Sequence, residues 1–292
     1  MTGVVGPLMP DYHTHSVRCG HADGDLGEYV LAAIRKGLPS IGLSDHLPQL
    51  FELDPELAMA PEELGAYVAE VLELKRRYPG FVLLGVEADY RPDTIDAVRA
   101  LVSRHPFDYV LGSVHHIDGW GFDDPRLMYE WDRRDVDEVY RRYFQLVGDS
   151  AEAGVFTILG HVDLVKKFGH RPEDPAFDAV VDMAQRIARA GTLVEINTAG
   201  LRRPVGEIYP HLSILRALRS HGVAITFGSD AHTPEEVGSD FDHGAALALA
   251  AGYAEYAVLV PDYLHGRARI HMRPIPQPSG PRAETHGTGE VG

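Results

Sequence analysis

The stretch Met9-Pro10-Asp11-Tyr12-His13-Thr14-His15-Ser16 follows a short apolar N-terminus and guides the interpretation of the whole chain. It contains an Asp-x-His-x-His run where a β-strand is expected to end. Side chains two residues apart on a strand point to the same face, so His13 and His15 would project into one site. Two imidazoles on one face indicate a metal ion, although an isolated pair is a weak signal. The rest of the chain must therefore supply further ligands.

Apolar runs with strand character alternate along the chain with segments of helical spacing. Repeated alternation of this kind predicts a parallel sheet with right-handed crossovers. Seven or eight such units within about 255 residues fit an irregular TIM-like barrel. A doubly wound open sheet is the alternative, but no Gly-x-Gly-x-x-Gly motif follows the first run. The predicted strands lie near residues 8–13, 39–46, 81–88, 107–115, 155–161, 192–198, 223–229 and 254–260.

The first seven runs all end in residues that carry imidazole, carboxylate or amide groups. The active site of a (β/α) barrel lies at the carboxyl ends of its strands. One such histidine is usually structural, and an aspartate before a helix is often only an N-cap. Many such groups converging without a cation would be costly to bury, so we predict a multinuclear metal site. The run ends are Asp11-x-His13-x-His15, Asp45-His46, Glu87-x-Asp89, Ser113-x-His115-His116, Gly160-His161-x-Asp163, Glu195-x-Asn197 and Ser229-Asp230-x-His232.

The ligand types narrow the choice of metal and reaction. Imidazoles and carboxylates without a thiolate suit zinc, manganese, iron or cobalt, and disfavour an all-oxygen calcium or magnesium site. More ligands are available than one ion needs, so two or three ions sharing a bridging carboxylate are expected. Glu87 is the glutamate placed centrally enough to bridge. A water between two such ions becomes hydroxide near neutral pH, and hydrolysis of a phosphate ester fits this chemistry best.

Composition limits the compartment and the partners. The net charge is −16, from 27 Lys and Arg residues against 43 Asp and Glu residues. Such a surface disfavours nucleic acid and anionic membranes, and it repels phosphorylated small molecules unless bound cations invert the local field. The one cysteine, Cys19, excludes an intramolecular disulfide framework, and we find neither a transmembrane segment nor a signal peptide. We therefore expect a cytoplasmic protein with a small-molecule substrate, and the sequence leaves a homo-oligomer open.

The domain organisation is expected to be simple. A length of 292 residues suffices for one α/β domain with a large core. We predict that residues 1–272 form this single barrel domain. Residues 273–292 are rich in proline, glycine and polar residues with almost nothing apolar, so we predict a disordered C-terminal tail.

The order of the polar residues resembles the PHP (polymerase and histidinol phosphatase) superfamily over residues 10–262. The metal motifs are highly specific to this superfamily. The runs at residues 160–170, 197–204 and 228–232 look most similar to histidinol-phosphatases of the PHP type. The residues that carry the resemblance are Asp11-x-His13-x-His15, His21, Asp45-His46, Glu87, His115, His161 and Asp230-x-His232.

The resemblance implies a distorted (β/α)7 barrel with a centre of three ions, which would be zinc, manganese or iron. It also chooses His115 over His116, a choice that strand parity leaves open. Among the ligands, Glu87, Asp230 and His232 are expected to be catalytic. The implied ligand sets are His13, His15, Glu87 and Asp230 for one ion, Glu87, His115 and His161 for a second, and His21, His46 and His232 for a third.

A phosphate group also needs cationic anchors from the protein. Lys166, Lys167, Arg202 and Arg203 lie in the loops after the fifth and sixth runs, on the side of the barrel mouth. The alternative is that these pairs form a solvated face. Arginine offers a bidentate fork to phosphate and lysine offers a point charge. We expect Arg202 and Lys167 to bind substrate ahead of Arg203 and Lys166, and we expect Asp11 to orient an imidazole.

The expected activity is hydrolysis of L-histidinol phosphate to L-histidinol and phosphate in histidine biosynthesis, by attack of a metal-bridging hydroxide on phosphorus. One alternative is a PHP phosphoesterase that acts on another small phosphate monoester or on a nucleotide. A second is an amidohydrolase-type barrel that cleaves C–N bonds, which the lack of a lysine among the run ends disfavours. A third is a metal-stabilised structural module, which the complete ligand set disfavours.

Overall fold

The computed structural model describes residues 9–51, 53–173, 176–262 and 268–276. Short strands alternate with longer helices, as predicted. The helices are α1 (Leu26–Lys36), α2 (Leu64–Arg77), α3 (Ile95–Val102), α4 (Val136–Glu152), α5 (Phe177–Ala190), α6 (Leu212–Ser220) and α7 (Phe241–Ala250). The strands are β1 (Ile41–Leu43), β2 (Val82–Leu84), β3 (Glu87–Asp89), β4 (Leu111–Ser113), β5 (His116–Ile117), β6 (Trp120–Gly121), β7 (Ile158–Leu159), β8 (Leu193–Asn197), β9 (Ile225–Gly228), β10 (Glu255–Val260) and β11 (Arg269–Pro274).

Parallel pairing closes the strands into a ring. β3, β4, β7, β8 and β9 form one sheet in that order, and β1 pairs with β2. Isolated parallel bridges complete the circuit by joining Asp11 to Ile41, His46 to Glu87, and Thr14 to Ala231. The segment 11–14 therefore lies between β1 and the end of β9, and β2 and β3 form two parts of one ring position. This is the predicted distorted (β/α)7 barrel, and its closure excludes an open sheet.

The helices cover the outside of the ring, and α1 shows how the sequence builds them. The Glu28 N–H donates to the Asp25 side chain (3.0 Å), and the Asp25 N–H donates to the Glu28 side chain (2.9 Å). This capping box satisfies two backbone donors that the helix start leaves free. Buried Tyr29 and Val30 join the main apolar cluster. In the described part of the chain, no helix has the length and apolarity to cross a membrane.

A hairpin closes the end of the barrel that holds the amino ends of the strands. The eighth apolar run forms β10, which pairs with β11 instead of entering the ring. The Leu259 N–H donates to the Tyr12 hydroxyl (2.8 Å), and the Thr226 hydroxyl donates to the Ala257 carbonyl (3.0 Å). An apolar layer therefore fills this end, and the polar residues follow later on the same strands. The layer contains Tyr12, Leu83, Tyr109, Leu111, Ile158, Leu193, Ala257 and Leu259.

The predicted boundary between barrel and tail falls inside a strand. β11 continues to Pro274, and Ile275 is buried with its N–H donating to the Ala254 carbonyl (2.8 Å). The prediction of disorder is therefore wrong for residues 273–276. Pairing with β10 supplies backbone partners that composition does not reveal. Residues 277–292 lie outside the described residues, and their predicted disorder stays a prediction.

Candidate metal centre

The carboxyl ends of the ring strands surround a cavity of about 640 Å³. Two of the nine predicted ligands, His13 and His15, are completely buried. The other seven line the cavity: His21, His46, Glu87, His115, His161, Asp230 and His232. The sequence thus places all nine side chains at one end of the barrel.

Glu87 lies at the centre of the group and is 1% exposed. Its Oε2 lies 3.2 Å from His13 Nε2 and 3.5 Å from His15 Nε2. Its Oε1 lies 3.3 Å from His161 Nε2 and 3.7 Å from His115 Nε2. The two oxygens of one carboxylate therefore face two different pairs of imidazoles. This is the position that a bridging ligand requires.

Asp230 joins the first of these pairs. Its Oδ1 lies 3.2 Å from His15 Nε2 and 3.8 Å from His13 Nε2. The Asp230 side chain is 12% exposed, because it stands between the buried imidazoles and the cavity. Two histidines and two carboxylates therefore converge from three ring positions.

A third group of imidazoles surrounds His15. The ring centroids of His21 and His46 are 5.2 Å apart, and those of His21 and His232 are 4.9 Å apart. His15 stacks between the other two, at 4.3 Å from His46 and 4.4 Å from His232. His46 Nδ1 also lies 3.1 Å from Glu87 Oε2. The structure thus brings His21, His46 and His232 together, and His15 links them to the Glu87 group.

Several buried polar atoms of this cluster have no hydrogen-bond partner among the described residues. Unpaired buried atoms of this kind are rare and costly, at roughly 1–3 kcal/mol each. Ligand atoms at roughly 2.1 Å from a tetrahedral ion lie about 3.4 Å from one another. The distances of 3.2–3.8 Å around Glu87 and Asp230 fit this spacing, so the residues suit a metal site. The unpaired atoms are His13 Nε2, both ring nitrogens of His15, Glu87 Oε2 and His161 Nδ1.

The cluster favours positive charge beside its carboxylates. Burial lowers the pKa of His13, but the Glu195, Glu87 and Asp230 carboxylates outweigh it and raise that pKa well above its ordinary value. Burial also lowers the pKa of His15, and nearby carboxylates raise it to about 9. Burial raises the pKa of Glu87, but the neighbouring imidazoles hold it well below its ordinary value. Divalent ions bound there would supply this positive charge in place of protons.

A second layer of carboxylates stands behind the imidazoles. His13 Nδ1 donates to Glu195 Oε1 (2.8 Å), and His115 Nδ1 donates to Asp89 Oδ1 (2.5 Å). Carboxylates in this position fix the tautomer and orientation of metal-binding histidines. Glu195 and Asp89 both stand in the predicted run ends, but this role of orienting histidines was not predicted for them. The signal that could have found Asp89 is its spacing of two from Glu87, which puts both side chains on one face.

The predicted role of Asp11 in orienting an imidazole is wrong. Its buried carboxylate accepts hydrogen bonds from the Ser229 N–H (2.9 Å), the Ser229 hydroxyl (2.5 Å) and the Gly238 N–H (2.8 Å). It also accepts from the His13 N–H (3.3 Å). Asp11 therefore ties the first ring position to the end of β9. Its partners lie 218 and 227 residues away, a distance across which sequence spacing gives no information.

Two candidate ligands occupy a backbone conformation that non-glycine residues rarely adopt. His161 has a φ of 22° and Asp230 has a φ of 51°. Such conformations persist only where the surroundings hold them, and they are common at functional sites. Arg202 holds the Asp230 loop, since its Nη2 donates to the Ser229 carbonyl (2.6 Å) and its Nε pairs with Glu236 (3.1 Å). The Arg202 side chain, from the loop after β8, therefore helps to hold the strained backbone at Asp230.

The four predicted substrate-binding residues separate into two kinds. Lys167 and Arg203 line the cavity, and Lys167 Nζ donates to Asp123 Oδ2 (3.0 Å). Lys166 is 1% exposed, and a backbone carbonyl and a buried aspartate hold its ammonium. Arg202 is engaged in the Asp230 loop. The positions therefore do not match the predicted preference for Arg202, because Arg203 is the arginine at the cavity wall.

Comparison with known proteins agrees with the sequence resemblance. A model of the PHP domain matches residues 11–199, and a model described as PHP-associated matches residues 211–240. The chain is 40% identical over 233 residues to a probable histidinol-phosphatase of Deinococcus radiodurans, covering 79% of this chain and 89% of that protein. It is 29% identical over 262 residues to the histidinol-phosphatase of Bacillus subtilis, covering 80% and 96%.

The fold has a solved counterpart. A histidinol phosphate phosphatase from Lactococcus lactis, crystallised with zinc, L-histidinol and phosphate, superimposes with a TM-score of 0.75. That likeness covers 89% of this chain and 98% of the other at 21% sequence identity, so it concerns the fold. The PHP domain model alone spans more than half of the chain. The chain therefore belongs to the PHP family.

Proposed function

We propose that this chain is a metal-dependent phosphatase that hydrolyses L-histidinol phosphate to L-histidinol and phosphate in histidine biosynthesis. The observation that carries the proposal is the convergence of the nine predicted ligand side chains, with Glu87 at their centre, at one end of the barrel beside one cavity. The 40% identity to a probable histidinol-phosphatase supports the choice of substrate. The cytoplasm, expected from the single cysteine, is the proposed compartment.

Three ions of zinc, manganese or iron suit the donor set. When bound, such ions lower the pKa of a coordinated water and neutralise charge on the phosphoryl oxygens. The unpaired buried atoms of the cluster support this assignment. The proposed sets are those that the sequence resemblance implied: His13, His15, Glu87 and Asp230, then Glu87, His115 and His161, then His21, His46 and His232.

The chain's own residues would place the substrate and hold the centre. Lys167 and Arg203 stand on the cavity wall, where their charges would hold the phosphoryl oxygens. Asp123 fixes the Lys167 ammonium by accepting from Nζ. Glu87, Asp230 and His232 remain our proposed catalytic residues, since all three line the same cavity.

A panel of phosphate monoesters tests the substrate. L-histidinol phosphate should give the highest kcat/KM, and a nucleotide or another monoester that exceeds it would replace the substrate named here. His13→Ala and Glu87→Ala should lose both metal and activity, because each removes a buried ligand atom at the centre. His243→Ala is the matched control, since this histidine is 73% exposed and pairs with Asp240. Normal activity with unchanged metal content in either ligand variant would contradict the proposal.

A further inference from the structure

The hydroxyl of Tyr209 is a buried polar group that the proposed function leaves unused. Tyr209 is 1% exposed and lines the cavity. Its hydroxyl has no hydrogen-bond partner within the described ranges of the chain. A buried hydroxyl without a partner costs roughly 1–3 kcal/mol. Since the residue stands on the cavity wall, a bound molecule is the natural source of the missing partner.

The ring of Tyr209 is held firmly in place. The backbone N–H of Tyr209 donates to the Asn197 carbonyl (3.0 Å), and the Tyr209 carbonyl accepts from the Asn197 N–H (2.7 Å). These two bonds fasten the residue to the end of β8. Lys166 Nζ lies 5.2 Å from the ring centroid, in a cation–π contact. A Cβ at Gly200 would lie 3.0 Å from Tyr209 Cε2, so the backbone of the preceding loop also packs on the ring. The hydroxyl is therefore oriented before any ligand arrives.

The surroundings of the ring place Tyr209 beside the candidate centre. The ring meets that of His161 edge-on, at a centroid distance of 6.4 Å. The nearby charges that act on Tyr209 include those of Asp163, Asp230 and Arg203. A tyrosine hydroxyl ordinarily titrates at a pKa of about 10, so near neutral pH it keeps its proton and can donate. Tyr209 and Arg203 thus line the same cavity as Lys167 and the candidate centre.

We propose that the Tyr209 hydroxyl donates a hydrogen bond to a phosphoryl oxygen of the substrate, alongside Lys167 and Arg203. This inference rests on the proposed phosphatase function. A fixed neutral donor stabilises the charge that develops on the phosphoryl oxygens without further reorganisation. Because the hydroxyl is neutral, neighbouring carboxylates do not cancel its effect as they would cancel that of a cation. Tyr209 would therefore be a substrate-binding residue rather than a structural one.

Tyr209→Phe tests the inference because it removes the hydroxyl and keeps the ring. We expect kcat/KM for L-histidinol phosphate to fall about 10–100-fold, and inhibition by inorganic phosphate to weaken by about tenfold. The fall should be similar for an aryl phosphate with a good leaving group. Metal content and Tm should match those of the wild type. A fall in kcat/KM for L-histidinol phosphate, whose alkoxide is the poorer leaving group, without a fall for the aryl phosphate would overturn the proposal. That result would indicate that Tyr209 donates a proton to the leaving oxygen instead.

Tyr253→Phe is the matched control. Tyr253 is also buried with an unpartnered hydroxyl in the described part of the chain, but it is not among the residues that line the cavity. This variant should keep wild-type kinetics and phosphate inhibition. Unchanged kinetics in Tyr209→Phe, loss of its metal, or an equal fall in Tyr253→Phe would overturn the inference. If the wild type hydrolyses no phosphate monoester at all, the proposed function fails instead.

Discussion

Replacing Glu195 with glutamine perturbs the carboxylate layer behind the candidate ligands. Glu195 Oε1 accepts from His13 Nδ1 (2.8 Å), while Oε2 accepts from the His161 N–H (3.1 Å) and from Asn197 Nδ2 (2.9 Å). An ionised carboxylate only accepts hydrogen bonds. When an ion is bound, His13 would therefore carry its one proton on Nδ1 and leave the lone pair of Nε2, which lies 3.2 Å from Glu87 Oε2, for that ion.

Glutamine cannot satisfy this arrangement in either orientation. If its amide oxygen faces His13, its NH₂ group faces the His161 N–H and Asn197 Nδ2. All of these groups are donors, so none of them has an acceptor there. If its NH₂ group faces His13, the imidazole proton must move to Nε2, the atom that would bind the ion. A buried donor without an acceptor costs roughly 1–3 kcal/mol, which corresponds to about 5–150-fold in metal affinity. We expect metal affinity to fall about 10–100-fold, the range typical when a residue that hydrogen-bonds to a metal ligand is replaced.

Competition with a zinc chelator measures this affinity in the wild type and in Glu195→Gln. Asp163→Asn is the matched control, because Asp163 is also 1% exposed. Asp163 accepts from the His211 N–H (2.8 Å) and pairs with Lys166 (2.9 Å), neither of which is a candidate ligand. The control should lower Tm and leave zinc affinity unchanged. Zinc affinity of Glu195→Gln within twofold of the wild type would refute the tautomer argument.

Two further variants test the cavity wall and the ring. Lys167→Gln removes an ammonium at the wall, so KM for phosphate monoesters should rise about tenfold in steady-state assays while metal content stays constant; an unchanged KM would count against its role. The Tyr67 hydroxyl donates to the Leu43 carbonyl (2.7 Å) and lies 2.9 Å from the Gly85 carbonyl, joining β1 to the segment between β2 and β3. Tyr67→Phe should therefore lower the free energy of unfolding in urea by about 1–3 kcal/mol, and wild-type stability would contradict this.

The alternation of strands and helices and the positions of their polar ends could be predicted because they are local. In the third run, Val82, Leu84 and Val86 join the main core on one face, while Leu83 and Glu87 lie inside the ring. This period of two places Glu87 inside the barrel without knowledge of any partner. Ring closure is not local, since Asp11 finds its hydrogen-bond donors 218 residues later. The sequence therefore shows which residues are polar at a strand end, but not what each one contacts.

Depth within the site could not be predicted for the same reason. Lys166 and Lys167 are adjacent, yet a short 3-10 turn (Leu164–Lys166) buries the first and leaves the second on the cavity wall. Arg202 and Arg203 are both partly buried but differ in their contacts, because Arg202 donates to the Ser229 carbonyl and Arg203 lines the cavity. In an irregular loop, a shift of one residue decides which member of a pair reaches the cavity. The alternation of a strand does not continue into the loop, so the sequence cannot rank the members of each pair.

The charges of the cavity wall make phosphate binding depend on added cations. A phosphate monoester carries up to two negative charges, and it must approach Glu87, Asp230 and Asp123. Burial raises the pKa of Asp123, but the Lys167 ammonium and the His115 imidazole outweigh it and lower that pKa to about 2. The Lys167–Asp123 pair thus carries no net charge, although two hydrogen bonds to Asp123 leave the Lys167 ammonium a third N–H for a phosphoryl oxygen. The cavity lining holds eight carboxylate side chains against four lysine and arginine side chains, so these groups together present no net positive surface to the substrate. Ions held by the imidazole cluster would invert this local field, so metal occupancy should control substrate affinity as well as the chemical step.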